Sequence, residues 1–380
     1  MKIGLSLAAL INPGGIGRYV RLLAINLPKL FPDHQYIGYI PAFREIETLR
    51  IIADEGIEGW STLTVPGGNR WAYETSGLPS VLKNESPDIF HGPDYLAPDA
   101  PCPVSVTIHD LAFRLHPVGM ALKSRLLFRF LTPGSIRRAE KSGVVFCDSR
   151  STLDDLKRLR WISHDAGRVV HLACEDSLRD PVPEEQIQSV LDKFGITRNY
   201  VLYAGPVEHR KNLGVLVESY KLVAKVLTRR GDAVPPLIAT GHLGAGGEKL
   251  KRTLENTSDG RFHYLGYVDR DVLKTLYYGC TLFCYPSRYE GFGLPPLEAM
   301  TCGKAVVVSN ATSLPEVVGD AGVLVDPDNV QGWSTAILRL LSDEKFRHDH
   351  EQACLEQSRQ FSVNKMCTEM MNTWMEAVGE

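Results

Sequence analysis

The sequence predicts an α/β protein built from two doubly wound parallel halves. Three observations carry that expectation. Short apolar runs alternate with amphipathic helical patterns through the first 172 residues. The pattern breaks in a polar, proline-bearing stretch after Cys174, and the same alternation restarts at Tyr200. Strand–helix alternation on this scale is the mark of a parallel sheet covered by helices. A chain of 380 residues is also comfortable for two cores.

In the first half the expected strands are Lys2–Leu7, Tyr36–Ile40, Thr62–Val65, Asp88–His91, Val104–His109, 143–147 and Arg168–Leu172. Helical patterns run over Ile16–Leu30 and Ser151–Arg160, the latter opened by a Ser-x-x-Asp capping signature. Residues 175–199 read as the interdomain linker. The second half reads as strand Tyr200–Ala204, helix Asn212–Leu227, strand Pro236–Thr240, helix Gly247–Thr257 and strand Phe262–Leu265. Helix Asp269–Tyr278, strand Thr281–Tyr285, a helix opening at Pro295 and strand Ala305–Val308 follow. Beyond Asp326 the chain reads as helical, over Gln331–Leu341, near Lys345–Gln360 and over Val363–Val378.

Hydrophobic content of 44%, charge of 23% and a net charge of −3 describe a globular chain without a global argument for nucleic acid, so any anion site must be local. No pair of the eight cysteines has zinc-ribbon spacing, and reduced, buried thiols in a cytoplasmic protein are expected. The run Ile3–Ile11 is short and passes into Asn-Pro-Gly-Gly, which fits a first buried strand better than a signal peptide.

Chemistry concentrates in Ser287–Lys304, where a buried strand runs into Glu290-Gly-Phe-Gly-Leu-Pro-Pro-Leu-Glu298. Proline suits a first helical turn, so strand, glycine turn and helix N-terminus meet as a phosphate site. Glu290 in the glycine turn has no structural job of its own, whereas Glu298 is expected in the helix's first turn, where the dipole favours an acid.

The loop Asn12-Pro-Gly-Gly-Ile-Gly-Arg-Tyr follows the first strand, at the edge of a parallel sheet where ligands bind. It lacks a dinucleotide fingerprint, because position 20 is Val and no acid ends the second strand. Gly14, Gly15 and Gly17 can still bring backbone close to a phosphate or sugar, or simply form a tight turn. His109-Asp110 and Ser149 occupy equivalent strand ends; the histidine reads as a polar contact, the serine equally as a helix cap. After the first strand of the second half, Gly205 leads to Arg210-Lys211-Asn212. Two cations at a helix start oppose the macrodipole, and a bound diphosphate supplies a reason for them. Asp269-Arg-Asp271 and Asp326-Pro-Asp328 match metal-binding pairs but read as a cap and a turn. Between Arg114 and Lys141 lie seven cations against one acid, interleaved with Leu122, Leu126, Leu127, Phe128 and Phe130. A solvated helix face is the default; a peripheral contact with anionic lipid or a lipid-pyrophosphate acceptor is the alternative.

Taken in order, these motifs resemble retaining glycosyltransferases of family 4, which have the GT-B fold of two facing Rossmann-like domains with a cleft between them. The resemblance rests on the 14–17 loop, His109-Asp110, Gly205…Arg210-Lys211-Asn212, Leu265-Gly-Tyr-Val268 and Glu290-x7-Glu298. Ser313-Leu-Pro-Glu-Val-Val-Gly-Asp-Ala and Asp326-Pro complete it. It implies that Glu290 holds the transferred sugar and Glu298 the ribose. Arg210 and Lys211 then neutralise the diphosphate, aided by N–H groups of Phe292, Gly293 and Leu294 and by the Gly14–Gly17 loop. Backbone at Tyr267-Val268 meets the base, and His109 contacts the donor sugar; Asp110 and Ser149 are candidates for the acceptor side. It further implies that residues 361–380 cross back to join 1–174, leaving 200–360 as the nucleotide-sugar domain. Arg288 and Glu208-His209 depart from the common pattern.

The expected activity is metal-independent, retaining transfer of a hexosyl unit from a nucleotide-diphosphate sugar to a polysaccharide or lipid-linked glycan. UDP-glucose is slightly favoured over GDP-mannose as donor, with no cofactor, no metal and no nucleic-acid partner. The expected location is cytoplasmic, with a peripheral contact at the inner membrane face. A nucleotide-sugar epimerase on the same fold and a non-catalytic nucleotide-binding module are the alternatives; the second predicts a lost acid at position 290.

Overall fold

A computed structural model describes residues 1–118, 122–141, 144–163, 166–244, 246–257 and 261–379. It divides into two compact units. The first holds Met1–Leu115, the described residues from Leu122 to Ala173, and the return from Ser362; the second holds Cys174–Phe361 with the short segment from His116 to Val118.

The first unit carries a seven-stranded sheet: β1 (Lys2–Ser6), β2 (Gln35–Pro41), β3 (Trp60–Val65), β4 (Ile89–Gly92), β5 (Val104–Ile108), β6 (Val145–Cys147) and β7 (Gly167–Val169), in the order β3-β2-β1-β4-β5-β6-β7. The second carries six strands: β8 (Val201–Ala204), β9 (Leu237–Thr240), β10 (Phe262–Tyr264), β11 (Leu282–Tyr285), β12 (Val306–Ser309) and β13 (Val323–Val325), in the order β10-β9-β8-β11-β12-β13. All pairings are parallel, and in both sheets the first strand of the half is central, so the chain winds outward on each side. Central strands such as β5 and β8 are buried along their whole length, as a sheet with both faces covered requires.

Helix Gly15–Leu30 buries Tyr19, Val20, Leu23, Ala24 and Leu27, one face of a 3.6-residue period, and packs on helix Val363–Val378. Ser362 caps that terminal helix, and Trp374 sends its indole N–H to Ser105 Oγ at 3.0 Å in the first sheet.

Three features differ from the sequence expectation. Residues 175–199 are not a free linker: they contain helix Glu184–Phe194, packed on helix Arg270–Gly279 in the second unit. Its polar face and flanking prolines hide two buried anchors, Ile187 and Leu191. Strand β13 and the helices Glu45–Asp54, Leu78–Glu85 and Leu314–Val318 were not expected. Strand β7 covers Gly167–Val169 rather than Arg168–Leu172, and residue 143 lies outside the described residues.

Candidate functional site

In the second unit, β8 and β11 are neighbours and their carboxyl ends deliver two loops to one place. The loop after β8 passes Gly205, forms a single 3-10 turn over His209–Lys211, and leaves through Asn212 in the left-handed region (φ 57°). The loop after β11 runs from Pro286 to Gly293 and is tied to the first by the Arg288 N–H donating to the Arg210 carbonyl at 2.9 Å.

Lys211 is the centre of the contact. Its ammonium donates to both oxygens of Glu290, at 2.7 and 2.9 Å, and to the Tyr285 hydroxyl at 3.0 Å. Arg210 donates to the Tyr289 carbonyl at 2.7 Å and to Glu208 at 2.9 Å, and lies 3.5 Å from Glu290. Lys211 is 6% and Glu290 8% exposed, so neither charge could be held there alone. Burial pushes the Glu290 carboxyl up, but Lys211 and Arg210 outweigh it and hold it below the ordinary range. Burial lowers the Lys211 ammonium, with Glu290 only partly offsetting that effect.

Glu290 is also fixed from its backbone. Its N–H donates to Thr312 Oγ1 at 3.0 Å, and the Ser313 hydroxyl reaches the carbonyls of Glu290 and Phe292 at 3.1 and 2.6 Å. Thr312 adopts φ 49°, unusual for a β-branched residue and a sign that its surroundings hold it there.

The glycine turn ends in helix Leu294–Thr301, with prolines in its first turn. Gly293 has φ 126°, and a Cβ there would lie 2.8 Å from Leu314 Cδ2, so glycine is required. The N–H groups of Gly293 and Leu294 donate to no described residue. Pro295 and Pro296 have none to donate, which concentrates the helix's anion-binding donors at those two positions. Glu298 is the fifth residue of this helix, so the first-turn position expected for it is corrected; Tyr277 donates to its Oε2 at 2.9 Å and it is 3% exposed. The buried carboxylate therefore owes little to the dipole, which falls off within the first turn.

At the neighbouring strand ends, Tyr267 is 54% exposed and stacks on His242, with ring centroids 4.3 Å apart and planes 13° apart; Val268 follows it. His242 was not singled out from the sequence. Gly205 lies against Tyr203 and Tyr285, and Gly241 would drive a Cβ to 2.1 Å from the Gly205 carbonyl, so both glycines serve close backbone packing.

The acids suspected of metal binding have structural work. Asp269 caps helix Arg270–Gly279 through the Val272 N–H. Asp326 accepts from the Asp328 N–H, Asp328 pairs with Arg288 at 2.5 Å, and the Asn212 side chain donates to the Pro327 carbonyl at 2.7 Å. This turn braces the loop of Arg210 and Lys211, and it also absorbs Arg288, which had no evident partner in the sequence. Among the described residues no group of three His, Cys, Asp or Glu side chains could hold a metal.

In the first unit, Gly17 is demanded by packing, since a Cβ would meet the Asn12 carbonyl at 1.9 Å, whereas Gly14 and its surroundings are open. His109 is buried at the end of β5. Its Nδ1 faces Asp148 Oδ2 and its Nε2 faces the Pro93 carbonyl, both at 2.7 Å. Two acceptors need two N–H groups, so this geometry selects the imidazolium. Burial works against that charge, but Asp148 and the Pro93 carbonyl outweigh it and raise the histidine's pKa. Asp148, invisible as a partner in the sequence, keeps Oδ1 buried without a hydrogen bond among the described residues. Asp110 accepts from the Tyr95 hydroxyl at 3.1 Å and the Ala112 N–H at 2.9 Å, and Ser149 caps helix Arg150–Arg158. Both polar groups thus have local structural partners.

The comparisons with known proteins follow the same division. The profile described as Glycosyltransferase Family 4 matches residues 13–176, and that of Glycosyl transferases group 1 matches residues 187–357. The chain is 36% identical over 304 residues to the O-antigen chain mannosyltransferase B of Escherichia coli, covering 77% of this chain and 76% of that protein. It is 31% identical to the serotype-specific mannosyltransferase WbdA of the same organism, over 74% of this chain but only 36% of that longer protein. In structure it is similar to Anabaena HepE in complex with UDP-glucose, with a TM-score of 0.75 at 16% identity, covering 99% of this chain and 100% of the other. Two doubly wound sheets, the Glu290–Lys211 pairing and these matches converge: the chain belongs to the group 1, family 4 glycosyltransferases and has their GT-B fold.

Proposed function

We propose that the protein is a retaining, metal-independent mannosyltransferase that extends a polysaccharide or lipid-linked glycan. The observation that carries the reading is the buried Glu290 carboxylate, paired with Lys211 and Arg210 and followed by Gly293 and Leu294, whose N–H groups donate to no described residue. As the sugar C1–O bond to the diphosphate breaks, negative charge grows on the departing oxygen. Two cations and a helix N-terminus stabilise that charge in place, which is the role a metal plays elsewhere. Glu290 supports the sugar's developing positive charge and holds its hydroxyls. The acceptor oxygen bonds to C1 from the face the diphosphate leaves, and its proton passes to the diphosphate oxygen. Glu298 takes the ribose hydroxyls, and the Tyr267-Val268 segment meets the base.

GDP-mannose becomes the preferred donor because relatives at 36%, 31% and 24% identity are named mannosyltransferases. The UDP-glucose complex is with a protein only 16% identical, which bears on the fold alone. A ligand that binds only the native state raises its melting temperature. GDP is therefore expected to give the largest shift in a panel with UDP and ADP, and a UDP maximum would overturn the donor assignment. Transfer is expected to survive EDTA and to give the α-anomer by NMR; loss of activity in EDTA would remove the metal-free mechanism. An epimerase would convert the donor with no acceptor present, and the same NMR assay reads that outcome.

Helix Leu122–Lys141 supplies a second proposal, a peripheral contact with anionic lipid. Leu122, Leu126 and Phe130, at i, i+4 and i+8, are 65%, 42% and 65% exposed, with Lys123, Arg125 and Arg129 beside them. Arg138 is excepted, since its guanidinium is bound to the Ala97 carbonyl. Met120, which precedes them in the same basic stretch, lies outside the described residues. No described helix is long and apolar enough to cross a membrane. Flotation with vesicles containing phosphatidylglycerol tests the contact, and equal binding to neutral vesicles would refute its electrostatic part.

A further inference from the structure

At the amino edge of the second sheet, opposite the edge that carries Lys211 and Glu290, lies a groove that the donor chemistry does not use. Helix Leu213–Arg230 starts beside Lys211 and runs back toward the amino ends of the strands. Between its later turns and the first residues of β9 and β10 is a cavity of about 420 Å³, a volume typical of small-molecule sites. β9 and the entry to β10 are held together there by the Leu237 N–H, which donates to the Arg261 carbonyl at 2.8 Å.

The floor of the groove is apolar. Val217, Tyr220, Ala224, Leu237 and Phe262 form it, and each is buried. The Tyr220 hydroxyl is bound to the Pro235 carbonyl, so the tyrosine adds no unused donor to that floor. The rim is cationic. Lys221, Lys225 and Arg229 follow one another at i, i+4 and i+8, about 6 Å of helix apart, and Arg261 joins them from the strand side. Lys221 pairs with Glu218 at 2.7 Å, whereas Lys225 and Arg229 make no hydrogen bond or ion pair among the described residues. The helix dipole gives a structural reason for Arg229 and Arg230 in the last turn. It gives none for Lys221 and Lys225 earlier in the helix, or for Arg261 on another element. None of the described lining residues is acidic; Glu218 and Asp232, the acids nearest along this helix and its exit, lie off the lining.

We propose that this groove is a binding site, separate from the donor site, for a free organic phosphate: a phosphate group carried on an apolar chain or ring. Cations of one sign beside low-dielectric walls focus their field on an anion. The floor selects the apolar body, which inorganic phosphate would leave uncovered. Lysine and arginine donate hydrogen bonds and accept none, so the hydroxyl protons of a neutral sugar would find few partners. A bilayer would offer the phosphate but keep the chain, and only a free amphiphile satisfies both floor and rim.

This inference does not depend on the transferase reading, and its readout is binding rather than turnover. Isothermal titration calorimetry on the full chain, with the nucleotide site saturated by the nucleotide that gives the largest melting shift, compares octyl phosphate, inorganic phosphate and octanol. Octyl phosphate is expected to bind about tenfold more tightly than either. Lys225→Glu combined with Arg229→Glu is expected to weaken octyl phosphate about tenfold. Thr228→Trp, at an exposed lining position, fills the groove without changing charge and is expected to weaken it as much. Circular dichroism and an unchanged nucleotide-induced melting shift report that the variants are folded. Equal affinity for inorganic phosphate would leave the floor idle, and equal affinity for octanol would leave the cations idle; either result overturns the proposal. So does unchanged octyl phosphate affinity in either folded variant. Binding to phosphatidic acid vesicles that falls to the same extent in the charge-reversed variant assigns the groove to a bilayer surface and overturns the free ligand.

Discussion

In the second unit, strand-end loops bring Arg210 and Lys211 to the buried carboxylate of Glu290, just before a helix N-terminus. In the first, loops at equivalent strand ends gather Glu74, Asp94 and Asp148 around Arg70 and an imidazolium. The sheets are alike in topology, and the difference lies in which partners the loops bring together. A parallel sheet supplies the same edge geometry to both units. The loops then decide which side chains meet at each edge.

Changes around Lys211 and Glu290 should have the largest effects. Glu290→Gln is expected to lower kcat by about 10²–10³ while leaving nucleotide affinity within a few-fold, as removal of one preorganised electrostatic contact does. Steady-state kinetics with a nucleotide melting-shift control checks it, and unchanged turnover would take Glu290 out of the chemistry. Lys211→Ala strands Glu290 in a buried position and is expected to reduce stability by about 3–5 kcal/mol, measured by urea unfolding. Because Glu290's folded pKa is depressed, the pair's stabilisation is present above about pH 4.3 and is lost as pH falls through that lower value. The Lys211→Ala variant should lack this acid-side loss.

Gly293→Ala combines a forbidden φ with the Leu314 overlap and is expected to cost about 1–3 kcal/mol, with weaker nucleotide binding. At His109 the effect is gentler and opposite in pH. His109's folded pKa is raised, so its stabilisation is complete below about pH 6.5 and declines as pH rises through the folded value. Melting temperatures from pH 5 to 9 should show that decline, and Asp148→Asn should flatten it. The smallest effect is expected outside both edges: replacing Leu122, Leu126 and Phe130 by Ser should weaken vesicle flotation yet leave turnover on a soluble acceptor unchanged.

Much of the architecture was legible because apolar runs mark buried parallel strands directly. Helix Gly247–Thr257 has the bounds its pattern predicts. Strand β13 escaped because three residues between Gly322 and Asp326 make too short a run. The helix at Glu184–Phe194 was read as linker because its polar face dominates its composition. Positions of the site residues along the chain were readable, but not their partners. Lys211 and Glu290 are 79 residues apart, and nothing local announces that they form an ion pair at 2.7 Å. The Arg70 cluster was missed for the opposite reason: its residues form no motif and are assembled only by a folded turn and a strand end.

The terminal helix has a consequence for biosynthesis. Trp374, Met370 and Met371 are fully buried in the unit that contains β1, and Trp374 bonds to Ser105, 269 residues earlier. A ribosome therefore releases most of the first unit's strands long before the residues that complete its core. The second unit, contiguous from Cys174 to Phe361, has its own core in hand first. At roughly 5–20 residues per second, nascent chains would carry an unfinished first unit for about ten seconds or more. During that interval the groove left for Trp374 is a place for chaperones or for aggregation, and a stop codon before residue 362 should release a chain whose second unit is folded and whose first is not.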